Sequence, residues 1–274
     1  MNSPNLSQLT LIAIEAAIRA GLILKKGFGL DCVIDTKPGK QNLVTEYDRA
    51  SEACIISFIK EEYPTHRFLA EESGLSKKGE EGEILWIIDP LDGTTNFTRE
   101  IPIFTIKIAA YQEVNCLSGL FFQPMTNELF IAEKGKGAFL NQKRLKISKV
   151  KSLEKSMIMV GLPYEASFNP MIGTEDLTTL VQQGAILRNL GSAALALAYI
   201  AAGRIDAFWM YNLYLWDIAA GQLLIEEAGG KCTRYGTTPS LIESPLDFLA
   251  TNEYLHSPLQ NILFNLNYSK TIDS

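Results

Sequence analysis

Residues 84–97, Ile-Leu-Trp-Ile-Ile-Asp-Pro-Leu-Asp-Gly-Thr-Thr-Asn-Phe, constrain the chain more than any other stretch. The apolar run Ile84 to Ile88 reads as a buried strand. Asp89 ends that run, and Pro90 is expected to stop the strand because it has no N–H to donate. A second carboxylate follows at Asp92. If residues 89–92 were extended, their α-carbons would lie roughly 10 Å apart, and a turn through Pro90 and Leu91 brings the two carboxylates towards one point. Two carboxylates about 4 Å apart repel by about 4 kcal/mol at an effective dielectric near 20. A hard divalent cation with oxygen ligands offsets that repulsion directly. Gly93-Thr94-Thr95 then offers free N–H groups at an expected helix start, which suits a phosphate. The plainer alternative is a strand, an Asp-Gly turn and one capping aspartate, since Asp-Gly alone is a common turn signal.

Other features narrow the chemistry. The chain has 274 residues, enough for one large domain or two intimate ones. A net charge of −6 argues against a protein that coats nucleic acid, and no direct nucleic-acid contact is expected. It does not exclude small anionic substrates, because bound metals reverse the local sign. Cys32, Cys54, Cys116 and Cys232 are scattered without a CxxC pair and read as reduced thiols of a cytoplasmic protein. Only His66 and His256 are available, which disfavours zinc sites and Ser-His-Asp chemistry. No signal peptide is read at the N-terminus. The uncharged, alanine-rich stretch 189–203 is too short to span a bilayer, and no membrane contact is expected.

Taken in order, Ser3-Pro4 reads as the start of a first helix that ends near Gly27. Residues 35–42 form a polar loop containing Lys37, which reads as a solvated lysine or as part of a phosphate-facing loop. A second helix is expected from Leu43 to about Glu62, with Asp48 in its first turn, where an acid favours the helix dipole. Arg67 to Ala70 reads as a strand ending at Glu71-Glu72-Ser73, where the glutamates are either solvated charge or metal ligands. His66 precedes this strand as a surface or loop residue. Segments 104–112, 116–122, 128–133 and 137–140 follow with short turns, the pattern of an antiparallel meander. From about residue 147 strands and helices alternate, as in an α/β half. Two halves are therefore expected, 1–147 and 148–274, without a flexible linker. Ser192 reads as a helix cap, and Asp217 as a first-turn acid of a helix near 216–228.

Asp89-Pro90-Leu91-Asp92-Gly93-Thr94-Thr95 resembles the signature of the inositol monophosphatase family, the lithium-sensitive, magnesium-dependent phosphatases. Trp216-Asp217, Ala219-Ala220-Gly221 and then Glu227-Ala228-Gly229-Gly230 resemble the family's C-terminal motif, and Glu71-Glu72-Ser73 its Glu-Glu-Ser element. The resemblance runs from the Lys37 loop to Gly230. It implies a layered αβαβα sandwich, with the meander sheet in the N-terminal half and an α/β C-terminal half that completes the site. It implies two or three Mg²⁺ ions: Glu71, Asp89 and the Leu91 carbonyl hold the first, Asp89 bridges to a second with Asp92 and Asp217, and a third sits near Glu71. It further implies that Thr94, oriented by Asp48 and aided by Glu71, positions the attacking water. Gly93 and Thr94 would hold the phosphate, and Gly191, Ser192 and Ala193 the sugar-like part beside Asp92 and Asp217. Lys37 would serve a phosphate-facing loop. A homodimer is expected from the resemblance alone.

Two positions depart from the family pattern. Met210 stands seven residues before Asp217, where a glutamate usually binds an inositol hydroxyl, and Ala70 replaces a glycine before Glu71. The implied reaction is hydrolysis of inositol monophosphate or a similar sugar phosphate. Alternatives are fructose 1,6-bisphosphate, 3′-phosphoadenosine 5′-phosphate or NADP as substrate, or a phosphatase fold that mainly binds a partner such as RNA polymerase or a ribosomal factor.

Overall fold

The structure is a computed structural model that describes residues 5–36, 43–76, 82–161, 174–235 and 246–263. Lys37 and most of its loop lie outside these residues. The chain opens with α1 (Gln8–Gly27), then β1 (Ile34–Thr36), β2 (Leu43–Thr45), α2 (Glu46–Glu62), β3 (Arg67–Ala70), β4 (Gly74–Leu75), β5 (Ile84–Asp92) and the short α3 (Thr94–Thr98). The meander follows as β6 (Thr105–Gln112), β7 (Asn115–Gln123), β8 (Glu128–Glu133), β9 (Gly137–Leu140) and β10 (Lys143–Arg144). The remainder is β11 (Met157–Val160), α4 (Thr174–Gln182), β12 (Ile186–Arg188), α5 (Ala193–Ala201), β13 (Ala207–Leu213), α6 (Leu215–Glu227), β14 (Lys231–Tyr235), β15 (Leu246–Thr251) and α7 (His256–Leu263).

These elements build a layered αβαβα sandwich. An eight-stranded sheet has the order β10-β9-β8-β7-β6-β5-β3-β4, and a five-stranded sheet the order β12-β11-β13-β15-β14. Strand periodicity sorts the first sheet's side chains between two cores. Ile84, Trp86, Ile88, Ile106, Ile108 and Ala110 face α1 and α2. Leu85, Ile87, Ala109, Tyr111 and Phe121 face the inner layer, where they meet α5 and α6. The second sheet's far face, with Ile158, Trp209 and Leu249, packs under α4 and α7 around Leu180, Leu259 and Leu263. Among the described residues, no helix is long and apolar enough to cross a membrane.

Helix α6 sits at the centre and is fixed at both ends. Gly119 of β7 lets it approach, since a Cβ there would lie 2.9 Å from the Cα and carbonyl oxygen of Ala220. At its C-terminal end Glu227 accepts the N–H groups of Gly135 and Gly137, at 2.6 and 2.7 Å, from the turn between β8 and β9. The turn Lys134-Gly135-Lys136-Gly137 is thus an anchor for the helix that carries Asp217.

Three expectations are corrected. Helix α1 is capped by Ser7, whose hydroxyl accepts from the Thr10 N–H, rather than by Ser3. The second helix begins at Glu46, because Leu43–Thr45 pair with β1 and Thr45 serves as the cap. Pro90 does not end its strand: β5 continues to Asp92 through a shift in pairing between Asp89 and Asp92. A proline is tolerated there because the ladder bond it would break is already missing at a bulge. His66 is the loop residue expected, with its Nδ1 accepting from Trp86 Nε1 at 3.0 Å. The four cysteines are free and half-buried.

His256 is buried at the start of α7, with Nε2 2.7 Å from the Thr233 hydroxyl and Nδ1 3.0 Å from that of Thr251. Burial, aided by Lys231, lowers its pKa to about 4. The fold therefore holds the neutral ring, and its stabilising effect is complete above the ordinary histidine value of about 6.5 and lost as pH falls towards 4. The expected outcome is that His256→Gln flattens the loss of stability between pH 7 and 4.5 by about 1–2 kcal/mol. Urea midpoints at both pH values check this, and equal slopes in the two proteins would refute the protonation argument.

Candidate active site

The bulge in β5 builds the site. In a regular strand Asp89 and Asp92, an odd number of residues apart, would point to opposite faces. Here Asp89 pairs with Lys107 and Asp92 with Thr105, so three steps along β5 match two along β6. The extra residue restores the phase. Leu91 turns outward into the core under α1 and α2, while Asp89 and Asp92 both face the inner layer. From that layer the first turn of α6 delivers Asp217. Carboxylate oxygens of Asp89, Asp92 and Asp217 lie within 4.8 Å of one another.

Each carboxylate is held by its own element. Asp89 accepts the Leu91 N–H at 3.0 Å. Asp92 accepts the Ala194 N–H at 3.1 Å and the Ser192 hydroxyl, so the start of α5 is tied to it. Asp217 accepts the Tyr214 N–H at 2.8 Å, which makes it a helix-terminal acid and a member of the cluster at once. The amide of Asn96 donates to the carbonyls of Ile103 and Leu190, both at 2.8 Å, and so binds α3 to the Gly191 loop.

Beside this cluster Thr94 donates its hydroxyl to Asp48 at 2.9 Å or to the Leu91 carbonyl at 3.1 Å. Asp48 in turn accepts the N–H and hydroxyl of Thr45, the N-cap of α2. Burial raises the Asp48 pKa to about 6, against the pull of the bonds from Thr45 and Thr94. Glu71 follows β3, and its N–H bonds the Ile88 carbonyl at 3.1 Å, next to Asp89. Its carboxylate stands outside the mutual cluster of three. Gly93, Gly191, Ser192 and Ala193 border the cluster through the contacts above. Met210, half-buried in β13, packs its sulfur against Gly161.

Sequence reasoning missed one residue of the cluster. Lys107 is buried, and its ammonium lies 2.7 Å from Asp89, 3.2 Å from Asp92 and 3.3 Å from Asp217. A lysine alone in the otherwise uncharged run Thr105 to Tyr111 was the available signal. Burial works against its charge, but the three aspartates overcome this and hold its pKa well above the ordinary value. Burial likewise raises Asp89 and Asp217, with Lys107 opposing.

The donors are carboxylate and carbonyl oxygens, the set that hard divalent cations take. Thr105, opposite Asp92 and fully buried, has a hydroxyl without a hydrogen-bond partner, as a group facing an ion-bound water would. The residues therefore fit a magnesium-type ion, with Lys107 supplying part of the same charge.

An αβαβα sandwich with convergent aspartates on a bulged inner strand and at a helix start defines a class of protein, and comparison with known proteins says which. A sequence model described as the inositol monophosphatase family matches residues 5–264. The chain is 41% identical over 220 residues to Nus factor SuhB of Escherichia coli strain K12, covering 80% of this chain and 82% of that protein. The solved inositol monophosphatase of Anabaena (Nostoc) sp. PCC 7120 superposes with a TM-score of 0.83 at 36% identity, covering 95% of this chain and 97% of that one. The extragenic suppressor protein suhB of Bartonella henselae superposes with a TM-score of 0.86 at 35% identity, covering 94% and 99%. The chain belongs to the inositol monophosphatase family.

Gly93 links the carboxylates to α3 with a φ of 98°, and a Cβ there would stand 2.9 Å from the Ile103 carbonyl oxygen. Both the left-handed backbone and the contact oppose a side chain. Gly93→Ala is expected to lower stability by about 1–3 kcal/mol and to displace Thr94 from Asp48. Denaturant unfolding measures the first effect; an unchanged midpoint would contradict the close packing.

Proposed function

We propose that the chain hydrolyses a small phosphate monoester, a sugar or cyclitol phosphate, in a Mg²⁺-dependent reaction. The observation that carries this reading is the Thr94 hydroxyl, placed between Asp48 and the Leu91 carbonyl beside the cluster of three aspartates. Asp89, Asp92, Asp217 and the Leu91 carbonyl, with Glu71 adjacent, would hold the metal. When bound, a divalent ion acidifies a coordinated water and neutralises developing charge on the phosphate.

The chain's own groups do the rest. Thr94, with its proton directed to Asp48, presents an oxygen lone pair that orients a water. A carboxylate with a pKa near 6 can receive a proton around neutral pH, which suits Asp48 to the end of that relay. The first N–H groups of α3 have no partner within the helix and offer themselves to a phosphate. The start of α5, tied to Asp92, would face the rest of the substrate. Met210 offers no charged acceptor for a sugar hydroxyl, which supports a substrate other than inositol 1-phosphate.

A second reading has its own support: relatives at this level of identity are named Nus factor SuhB. A regulatory binding role, carried by the same fold, is compatible with the site.

Phosphate release is to be measured from inositol 1-phosphate, fructose 1,6-bisphosphate, 3′-phosphoadenosine 5′-phosphate and NADP, with and without Mg²⁺. Release that needs Mg²⁺ and prefers one substrate is expected. Asp89→Asn, Asp92→Asn and Asp217→Asn should each lower it at least about 10³-fold, about 4 kcal/mol of barrier, with near-UV circular dichroism unchanged. Full turnover by Asp92→Asn would overturn the site assignment. A cellular phenotype that survives this substitution would favour the binding role.

A further inference from the structure

Lys107 has no part in the reaction as written above, yet it occupies the centre of the site. Its ammonium is buried, at hydrogen-bonding distance from all three aspartates. The placement is built into the fold: β5 and β6 pair so that Lys107 lies directly across from Asp89, and the bulge brings Asp92 to the same face.

We propose that Lys107 is a resident cation that takes the place of one divalent ion among Asp89, Asp92 and Asp217, so that this chain binds a single Mg²⁺ where its carboxylates alone would hold two. This inference rests on the metal-dependent reading of the same site and revises its ion count.

Size and charge both lead there. A magnesium ion shared by three oxygens sits about 2.1 Å from each. The ammonium already lies between those same oxygens at 2.7–3.3 Å, and two cations cannot share that space. Three aspartates carry three negative charges. Even with Glu71 counted as a fourth, two divalent ions and the ammonium would leave an excess of positive charge, whereas one divalent ion and the ammonium leave none. A lysine is also a different kind of ligand partner. It is a point charge on a covalent tether, so it cannot dissociate, and it keeps the three carboxylates assembled when metal is scarce. Removing it would leave buried like charges facing one another, an arrangement that a second ion would relieve. The single Mg²⁺ then falls to the other side of Asp89, towards the Leu91 carbonyl and Glu71, whose backbone is fastened beside Asp89.

Calorimetric titration of metal-free wild type and Lys107→Ser with Mg²⁺ tests the proposal without any substrate. Wild type is expected to bind one ion. Lys107→Ser is expected to bind two, the tighter at least about tenfold more strongly than wild type, about 1.4 kcal/mol. The unfolding temperature of the metal-free variant should fall below that of wild type and recover with Mg²⁺, while wild type shifts less. If the variant folds only with Mg²⁺ present, that dependence is the same result in stronger form. Two ions, or none, bound by wild type would overturn the proposal whatever the variant does, as would equal stoichiometry in both proteins. A wild type that binds one ion but releases phosphate from no substrate would leave Lys107 as argued and fault the phosphatase reading alone.

Discussion

The contact between Asp89 and Lys107 across β5 and β6 is the interaction on which the site depends, and a backbone irregularity sets its surroundings. A ladder in perfect register would have left Asp92 on the face under α1 and α2, among Phe97, Phe104 and Ile106. The bulge at Pro90 and Leu91 exchanges the two: the leucine goes to that core, and the aspartate joins Asp89 and Lys107 in the inner layer. One proline, unable to complete the ladder, is thus well placed where the ladder must break. The sheet accepts the interruption because the apolar pairs before it, Trp86 to Ile88 with Ile108 to Ala110, remain in register and buried.

Charges in this position need the inner layer to close over them. The helices α5 and α6 supply that cover with small residues: Ala194, Ala196, Ala198, Ala219 and Ala220 are all buried between the sheets. Small side chains bring the helix backbones close, and that closeness lets the start of α5 reach Asp92 while the start of α6 brings Asp217 in. The turn between β8 and β9, by holding Glu227, sets the far end of the same helix. The second sheet contributes no carboxylate to the cluster. It backs the two helices that do the positioning, so the architecture of the C-terminal residues acts on the site through α5 and α6.

Much of this was legible in the sequence. The meander strands, α5, α6 and the alternation after residue 147 follow from periodicity and turn residues, because their burial is regular. The aspartates were legible because their spacing and the glycine after them have few other uses. What stayed hidden shares one cause: it depends on contacts between distant segments. Pro90 reads as a strand terminator until its partner strand is known. Ser7 and Thr45 cap their helices because of tertiary placement, with Ser7 also bound to Glu133 across 126 residues of sequence. Lys107 looked like a single polar residue in a buried strand. Only the register with β5 shows that it faces Asp89.

The depth of the three aspartates suggests how such a site divides its work. Side-chain exposure rises from 2% at Asp89 to 10% at Asp92 and 18% at Asp217, while the distance to the Lys107 ammonium lengthens from 2.7 to 3.2 and 3.3 Å. The deepest carboxylate is therefore the most firmly paired, as its loss of water requires. The outer two divide their oxygens between the lysine and the helices: Asp92 also binds Ser192 and Ala194, and Asp217 also binds Tyr214. These outer groups are the ones that solvent still screens, and the lysine's hold on them is weakest. The inner pair can stay closed as the outer contacts exchange. The same tethered charge that keeps the aspartates together thus leaves the exposed side of the cluster free to change partners.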